Sequence, residues 1–441
     1  SVSVARSTPT LWAYAQRNAH KDTPKVSSKE LYLSYKIIHM RFLHTSDWHL
    51  GIRLYGMDRK EEHAHFLKWL LEQIKTLQVD VLLITGDVFD TSNPPQDALQ
   101  MYYEFLANVA KIQNCKSVII IGGNHDSASL LNAPRDILKT LNIHVIGCTT
   151  GKIEDEIILL GNSENDFTAA ICAVPFLRDK DLRYFVAGES YEEKSERLKQ
   201  AIAAHYQKIN EYIQNLPSRP PIVIATGHLF AVGSQTSESE KMIHVGNLGQ
   251  VETYHFPDTF KYIALGHIHK PQKVGNTEHI RYAGSPIPLS FTELDIEKHI
   301  VVVDIEPHSD AILNFIPIPP YRQLMRIRGS LAEIKQVLST LHQSSEKPTL
   351  WIEITVILDK KELQVTQQVK EMVKNENIII LAVKVEKQYV EQGIEDTMDF
   401  HVDLATITPH QVFMKRCENI DPKEQESLRI TFDEVLSLLR E

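Results

Sequence analysis

The stretch Ser117-Val118-Ile119-Ile120-Ile121-Gly122-Gly123-Asn124-His125-Asp126 decides how this chain is read. A short apolar run of buried-strand length ends by presenting an amide, an imidazole and a carboxylate in succession. One such cluster reads equally well as a polar turn, so its weight depends on the other strand ends. "MRFLHTSDWH" runs from Met40 into Asp47 and His49, and "VDVLLITGDVFD" from Val79 into Asp87 and Asp90. "PIVIATGH" ends at His228, and "FKYIALGHIH" ends at His267 and His269. Apolar runs that repeatedly end in His, Asp or Asn point to one shared site, because α/β folds gather ligands at the carboxyl ends of strands.

Between the first three runs lie helix-period stretches. Residues 62–77 place Phe66, Leu67, Leu70, Leu71 and Ile74 on one face, and residues 97–112 do so more loosely. Strand–helix–strand order predicts a layered α/β architecture. Residues 191–216 form an amphipathic helix with Leu198, Ile202, Tyr206, Ile209, Ile213 and Leu216 inward, which "NLPSRPP" then breaks. Residues 299–306 read as a strand and the Pro-rich 317–321 as an extended linker. Beyond it, helix (330–342), strand (350–358, alternating), helix (361–375) and strand (378–386) predict a compact α+β unit. The division expected is therefore a disordered or non-native extension over 1–39, a main domain over 40–316, a small α+β domain over 317–390 and a helical region over 391–441. Residues 1–39 lack an initiator Met and carry few acids, which also admits a weak targeting-peptide reading. In the tail, Thr408-Pro409 and Asp421-Pro422 read as N-caps followed by Pro. The last helix puts Leu428, Phe432, Val435, Leu436 and Leu439 on one side, either for its own domain or for a partner.

Composition sets the bounds. A chain of 441 residues with 43% hydrophobic content suits two or three soluble domains, and no apolar run approaches the roughly 18 residues of a membrane span. Cys115, Cys148, Cys172 and Cys417 form no C-x-x-C pair, which argues against a zinc knuckle and for reduced thiols in the cytoplasm. A net charge of −10 excludes a generally DNA-coating surface. It leaves open a local groove, a metal-neutralised site or a basic partner.

The residue types carry a chemistry. In an extended segment Asp47 and His49 share a side and can reach one ion; His267 and His269 repeat the arrangement. Gly86 permits a tight turn, after which the Asp87 carboxylate can bridge two cations. Asn124 offers a neutral oxygen ligand, and since neighbouring side chains in a turn diverge, one residue of the Asn124–His125 pair can bind metal while the next projects toward substrate. All candidates are oxygen or imidazole donors, which favours Mn²⁺ or Fe²⁺ over structural zinc; two Mn²⁺ ions are expected. His44 reads as packing or as support behind the site.

The ordered set D-x-H, G-D, G-N-H-D, G-H, G-H-x-H resembles the calcineurin-like metallophosphoesterase superfamily across Asp47–His269. The contexts "HTSDWHLG" (44–51), "GDVFDTSNPP" (86–95), "GNHDS" (123–127), "YIALGHIHKPQ" (262–272) and "RYAGSPIPLSF" (281–291) resemble, within it, the SbcD family of bacterial nuclease subunits. That resemblance implies a sandwich of two central mixed sheets flanked by helices, an α+β capping domain and C-terminal helices. It implies one ion on Asp47, His49, Asp87 and His269, and another on Asp87, Asn124, His228 and His267. It leaves His125 uncoordinated, as general acid or phosphate-positioning group, with Asp90 orienting it. Arg53, Tyr55 and the loop 232–241 become candidate DNA contacts. The implied activity is exonucleolytic on DNA duplex ends and endonucleolytic on single strands and hairpins, in DNA repair, recombination and replication. The implied assembly is a homodimer of this chain with two copies of an SbcC-type coiled-coil ATPase, cytoplasmic, at the nucleoid and without a membrane. Two rivals stand beside it: a phosphodiesterase or phosphatase for small or protein substrates, and a non-catalytic scaffold bridging DNA and the ATPase.

Overall fold

A computed structural model describes residues 39–163, 166–178, 181–182, 190–232, 234, 251–341, 348–359, 364–373 and 377–387, with residues 413, 428 and 432. They fall into two units. The first ends at Pro320; the second begins at Tyr321 and also takes in Leu54–Met57.

Through the first unit and the interposed Leu54–Met57, the chain runs β1 (Met40–Thr45), β2 (Arg53–Leu54), β3 (Met57–Asp58), α1 (Lys60–Thr76), β4 (Val81–Thr85), α2 (Gln96–Val109) and β5 (Ser117–Ile121). Short helices α3 (Ala128–Asn132) and α4 (Arg135–Lys139) lead to β6 (Ile143–Ile146), β7 (Ile157–Ser163), β8 (Asp166–Cys172), α5 (Tyr191–Gln214) and β9 (Ile222–His228). It closes with β10 (Tyr262–Gly266), β11 (Gln272–Val274), β12 (Thr277–Tyr282), β13 (His299–Ile305) and β14 (Ile312–Pro317). Two six-stranded sheets result, ordered β14-β13-β1-β4-β5-β6 and β11-β12-β10-β9-β8-β7. Both are mixed. β1, β4 and β5 run parallel in the first, as do β9 and β10 in the second, while β13 and β7 are antiparallel to their neighbours.

Strand periodicity explains the layering. Along β4, Leu82 and Ile84 pack with Phe66, Leu70, Tyr102 and Phe105 of α1 and α2, whereas Val81 and Leu83 turn to the other sheet. There they meet Ile171, Ile222, Ile224, Tyr262 and Ala264. The outer face of the second sheet is covered by Ile202, Tyr206, Ile209 and Ile213 of α5. The order is helices, sheet, sheet, helix, and each fully buried Ile, Leu or Phe contributes roughly 1.5–3 kcal/mol. α5 begins at a capping box, in which Ser190 and Glu193 satisfy each other's backbone N–H. It ends at Gln214, so Leu216 lies just past the helix. The five motif-bearing runs are β1, β4, β5, β9 and β10, and parallel pairing sends the carboxyl ends of neighbours to the same edge.

The second unit runs β15 (Leu324–Gly329), α6 (Leu331–Thr340), β16 (Leu350–Leu358), α7 (Val365–Met372) and β17 (Ile378–Lys387), its sheet ordered β15-β16-β17. All three strands are parallel, so each connection needs a crossover helix, and helix and strand alternate. The alternation read over 350–358 does not show as exposure: β16 is central and is buried along nearly its whole length. Within this unit the Tyr55 hydroxyl donates to Glu353 Oε1 at 2.7 Å. Residues 1–38 lie outside the described residues, as do most of 233–250 and most of 388–441. Phe413, Leu428 and Phe432 are helical, and the Phe413 and Phe432 rings stack at 4.1 Å. Among the described residues no helix is long and apolar enough to cross a membrane.

Candidate metal centre

The loops after β1 and β4 pair along their backbones: Asp47 N donates to Gly86 O, and His49 N to Asp87 O, each at 3.0 Å. This holds the first two motifs side by side. Asp47 (φ 51°), His49 (φ 47°), Asp87 (φ 48°) and His267 (φ 102°) all adopt left-handed backbone conformations. Such conformations cost on the order of 1–3 kcal/mol each in non-glycine residues and persist where the surroundings over-determine them. Half of the eight positive-φ non-glycine residues among the described residues are thus expected ligands. The turn glycines follow from close approach. A Cβ on Gly123 would lie 2.2 Å from Asp87 Oδ1, and one on Gly86 (φ 88°) would lie 2.3 Å from His228 Nδ1.

The side chains converge as a result. Asp47, His49, Asp87, His228, His267 and His269 are all buried, and Asn124 and His125 half-buried. Asp87 Oδ1 accepts from His125 N at 2.9 Å, while its Oδ2 lies 3.3 Å from His228 Nε2 and 3.7 Å from His49 Nε2. Asp47 Oδ1 accepts from His267 N at 2.9 Å. Asn124 Oδ1 stands 3.0 Å from His228 Nε2 and 2.9 Å from His267 Nδ1. Two groups have donor atoms close enough to share an ion: Asp47, His49 and His269, and Asp87, His228 and His267. A third such group, His49, Asp90 and His125, adjoins them.

Electrostatics bind the cluster. Burial opposes ionisation of Asp87, yet the imidazoles of His228, His49 and His125 hold its carboxyl well below the usual carboxylate range. Burial likewise opposes protonation of His228, but Asp87 and Asp47 raise it to about 9. His49 is raised in the same way against its own burial, by Asp90, Asp87 and Asp47. Neither buried ring nitrogen of His49 has a hydrogen-bond partner; Asp90 Oδ1 approaches Nδ1 at 3.3 Å without hydrogen-bond geometry. Buried charges and orphaned imidazole nitrogens call for a partner. A donor set of carboxylate, amide and imidazole, with no thiolate, fits divalent cations of the manganese or iron kind.

The contact between Asp90 and His125 exists but is made by the main chain. His125 Nδ1 donates to the Asp90 carbonyl at 2.7 Å, and the Asp90 carboxylate instead faces His49. Two further buried histidines, His44 and His63, serve structure. His63 Nε2 donates to the Trp48 carbonyl at 2.8 Å. His44, lowered to about 3 by burial, sits between Tyr262 Oη and Thr85 Oγ1 at 2.9 Å each, supporting the strand end whose Thr85 carbonyl accepts from His228 Nδ1. Sequence reasoning missed Asp126, although the opening motif contains it. Its buried carboxylate accepts from Gly123 N (2.9 Å), Phe89 N (3.0 Å) and Val88 N (3.2 Å), tying together the loops that carry Asn124 and Asp87. Burial, reinforced by Asp87, raises Asp126 to about 6. Glu293 and Lys298 were also missed.

A two-sheet sandwich whose strand ends meet in a buried cluster of carboxylates and imidazoles defines a metallophosphoesterase. Residues 40–271 match the calcineurin-like phosphoesterase family, and residues 320–420 match the family described as type 5 capsule protein repressor C-terminal domain. The SbcD subunit of the nuclease SbcCD from Escherichia coli (strain K12) is 34% identical over 403 residues, covering 91% of this chain and 98% of that protein. The proteins of the same name from Bacillus subtilis (strain 168) and Rhodobacter capsulatus are 31% and 32% identical, over 72% and 68% of this chain and 79% and 75% of theirs. The chain belongs to the calcineurin-like phosphoesterase family and, within it, to the SbcD nuclease subunits.

Proposed function

We propose that this chain is a metal-dependent DNA nuclease subunit that hydrolyses phosphodiesters at the carboxyl edge of its two sheets. Asp47, His49, Asp87 and His269 would hold one cation, and Asp87, Asn124, His228 and His267 a second, with Mn²⁺ the ion we infer from the donor set. Bound there, two cations supply charge neutralisation of the phosphodiester and activation of the attacking water.

The protein's own residues do the rest. Thr85 O accepts a hydrogen bond from His228 Nδ1, which leaves Nε2 directed to Asn124 and Asp87. Asp90 O fixes the Nδ1–H tautomer of His125, so its Nε2 is the atom that gives or takes a proton. His125 is half-buried beside a ligand set in which every member but Asn124 is buried, and this carries the reading: an imidazole held by a carbonyl, open to substrate, suits protonation of the departing sugar oxygen.

The family relationship supports duplex DNA ends, hairpins and single strands as substrates. It also supports a coiled-coil ATPase of the SbcC type as partner, in a 2:2 assembly acting in the cytoplasm at the nucleoid. The partner would account for an acidic chain working on DNA. Hydrolysis of linear duplex DNA and of bis-p-nitrophenyl phosphate with Mn²⁺, with and without the ATPase, tests the reading. His125→Asn should lower turnover by about 10²–10⁴-fold with the metal content unchanged. Undiminished cutting by the variant would refute the role of His125. Cleavage of the small ester with no action on DNA in the presence of the partner would favour a small-substrate phosphodiesterase.

A further inference from the structure

The segment between β12 and β13, which includes "SPIPLSF", supplies none of the expected ligands, yet it buries an ion pair against one of them. Glu293 is fully buried and Lys298 is 6% exposed. Lys298 Nζ donates to Glu293 Oε2 at 2.8 Å, to Ser285 Oγ at 2.9 Å and to the carbonyl of His269 at 2.9 Å. Ser285 N donates to that same carbonyl at 3.1 Å. Glu293 Oε2 also accepts from Leu289 N at 3.2 Å, and Oε1 lies 3.7 Å from Nδ1 of His269. The two charges therefore grip one residue at two points, the lysine at its peptide oxygen and the glutamate beside its ring.

Stability alone is a poor reason for such a pair. Desolvation offsets most of the attraction, and apolar replacements of similar volume often serve as well. A carboxylate next to Nδ1 favours the tautomer protonated there and leaves Nε2 with the lone pair. Outer carboxylates commonly orient metal-binding histidines by accepting a hydrogen bond from that N–H; at 3.7 Å Glu293 acts through its charge. Lys298 holds the Glu293 charge in place and fixes the peptide from which the ring hangs.

We infer that the buried Glu293–Lys298 pair is a positioning device for His269, setting its tautomer and main-chain position so that Nε2 is the nitrogen offered to a divalent cation. This rests on His269 being a ligand in the group with Asp47 and His49. His228 and His125 are set by main-chain carbonyls, whereas His269 is set by a charge, so its donor strength depends on two side chains that themselves touch no substrate.

The test uses the full-length protein in three variants. Metal-free samples labelled with ¹⁵N-histidine report the His269 tautomer, and Mn²⁺ titration followed by electron paramagnetic resonance resolves the two sites. The Glu293→Gln/Lys298→Met double variant removes both charges while keeping volume. It should shift His269 from the Nδ1–H form and weaken one of the two Mn²⁺ sites by about 10–100-fold, leaving the other within about twofold. Glu293→Asp keeps the ion pair but withdraws the carboxylate from the ring. It should weaken the same site by a smaller factor, and it decides the matter if the double variant does not fold. His269→Ala should abolish that site. If His269→Ala changes neither site, the ligand assignment itself is wrong. If His269→Ala removes one site while the foldable pair variants keep wild-type affinities and the Nδ1–H tautomer, the pair has no positioning role.

Discussion

Adding one methyl group at Gly123 tests how tightly the fold holds the Asp87 carboxylate. Gly123 is not in the left-handed region, so alanine is acceptable to its own backbone. The obstacle is the neighbouring loop: the new Cβ would lie 2.2 Å from Asp87 Oδ1, 2.3 Å from Asp87 N and 2.8 Å from Asp87 Cγ. Ordinary contact begins near 3.4 Å, so Asp87 or the Asn124 loop must yield by about 1 Å. Neither yields freely, because Asp126 ties Gly123 N to Val88 N and Phe89 N, and Asp87 Oδ1 already accepts from His125 N. Overpacking of this kind costs about 1–3 kcal/mol, which for a unit of this size lowers Tm by roughly 2–4 °C per kcal/mol. The functional effect should be larger, since a displacement of about 1 Å at a reacting centre can cost about 10²-fold in rate. Gly123→Ala should therefore melt slightly early, bind Mn²⁺ more weakly and hydrolyse bis-p-nitrophenyl phosphate about a hundredfold more slowly. A variant with two Mn²⁺ bound at wild-type affinity and normal turnover would refute the claim that the Gly123–Asp87 approach sets the site.

Other substitutions separate the loops' roles. Asp90→Asn leaves the carbonyl that holds His125, so turnover at saturating Mn²⁺ should change little. Loss of the carboxylate facing His49 should weaken one Mn²⁺ site by about tenfold; a large loss of turnover with unchanged metal affinity would contradict the geometry. Asp126→Ala strands three backbone N–H groups at a buried position, with an expected loss of about 3 kcal/mol or more in chemical denaturation; a loss under about 1 kcal/mol would show that the brace is idle. In the metal-free protein His228 is raised from 6.5 to about 9, so its pairing with Asp87 stabilises fully below pH 6.5 and fades as pH rises through about 9. Tm in a chelating buffer should fall across that window, and the fall should vanish with Mn²⁺ bound, because a cation then replaces the proton; a rising metal-free profile would contradict the pairing.

Much of this site was legible because its residues interrupt a pattern. Short apolar runs mark β1, β4, β5, β9 and β10, rich in β-branched residues in β4, β5 and β9, and ligand types at their ends stand out against them. β11, β12 and β14 were less legible, being short or exposed strands at or near sheet edges, with a register shift between β11 and β12. The second unit's strands were seen in part: β15 was missed, and β16 looked half-exposed because alternating polar residues such as Glu353 are buried by pairing. Whether Asp90 would meet His125 through its carboxylate or its carbonyl depends on loop dihedrals that no spacing reveals. The left-handed conformations at Asp47, His49, Asp87 and His267 fall on residue types that tolerate them, but the surrounding loops decide where they occur, and spacing does not reveal it. Glu293 and Lys298 escaped notice because charged residues are ordinarily surface residues; here each is buried only because the other is.

The central claim is that Asp87 is shared by two cations beside an uncoordinated His125. Anomalous scattering from Mn²⁺-loaded crystals measures it directly. The account predicts two peaks roughly 3.5–4 Å apart, both bonded to Asp87, with His125 bonded to neither. One peak at saturating Mn²⁺, two peaks that do not share Asp87, or His125 among the ligands would contradict it.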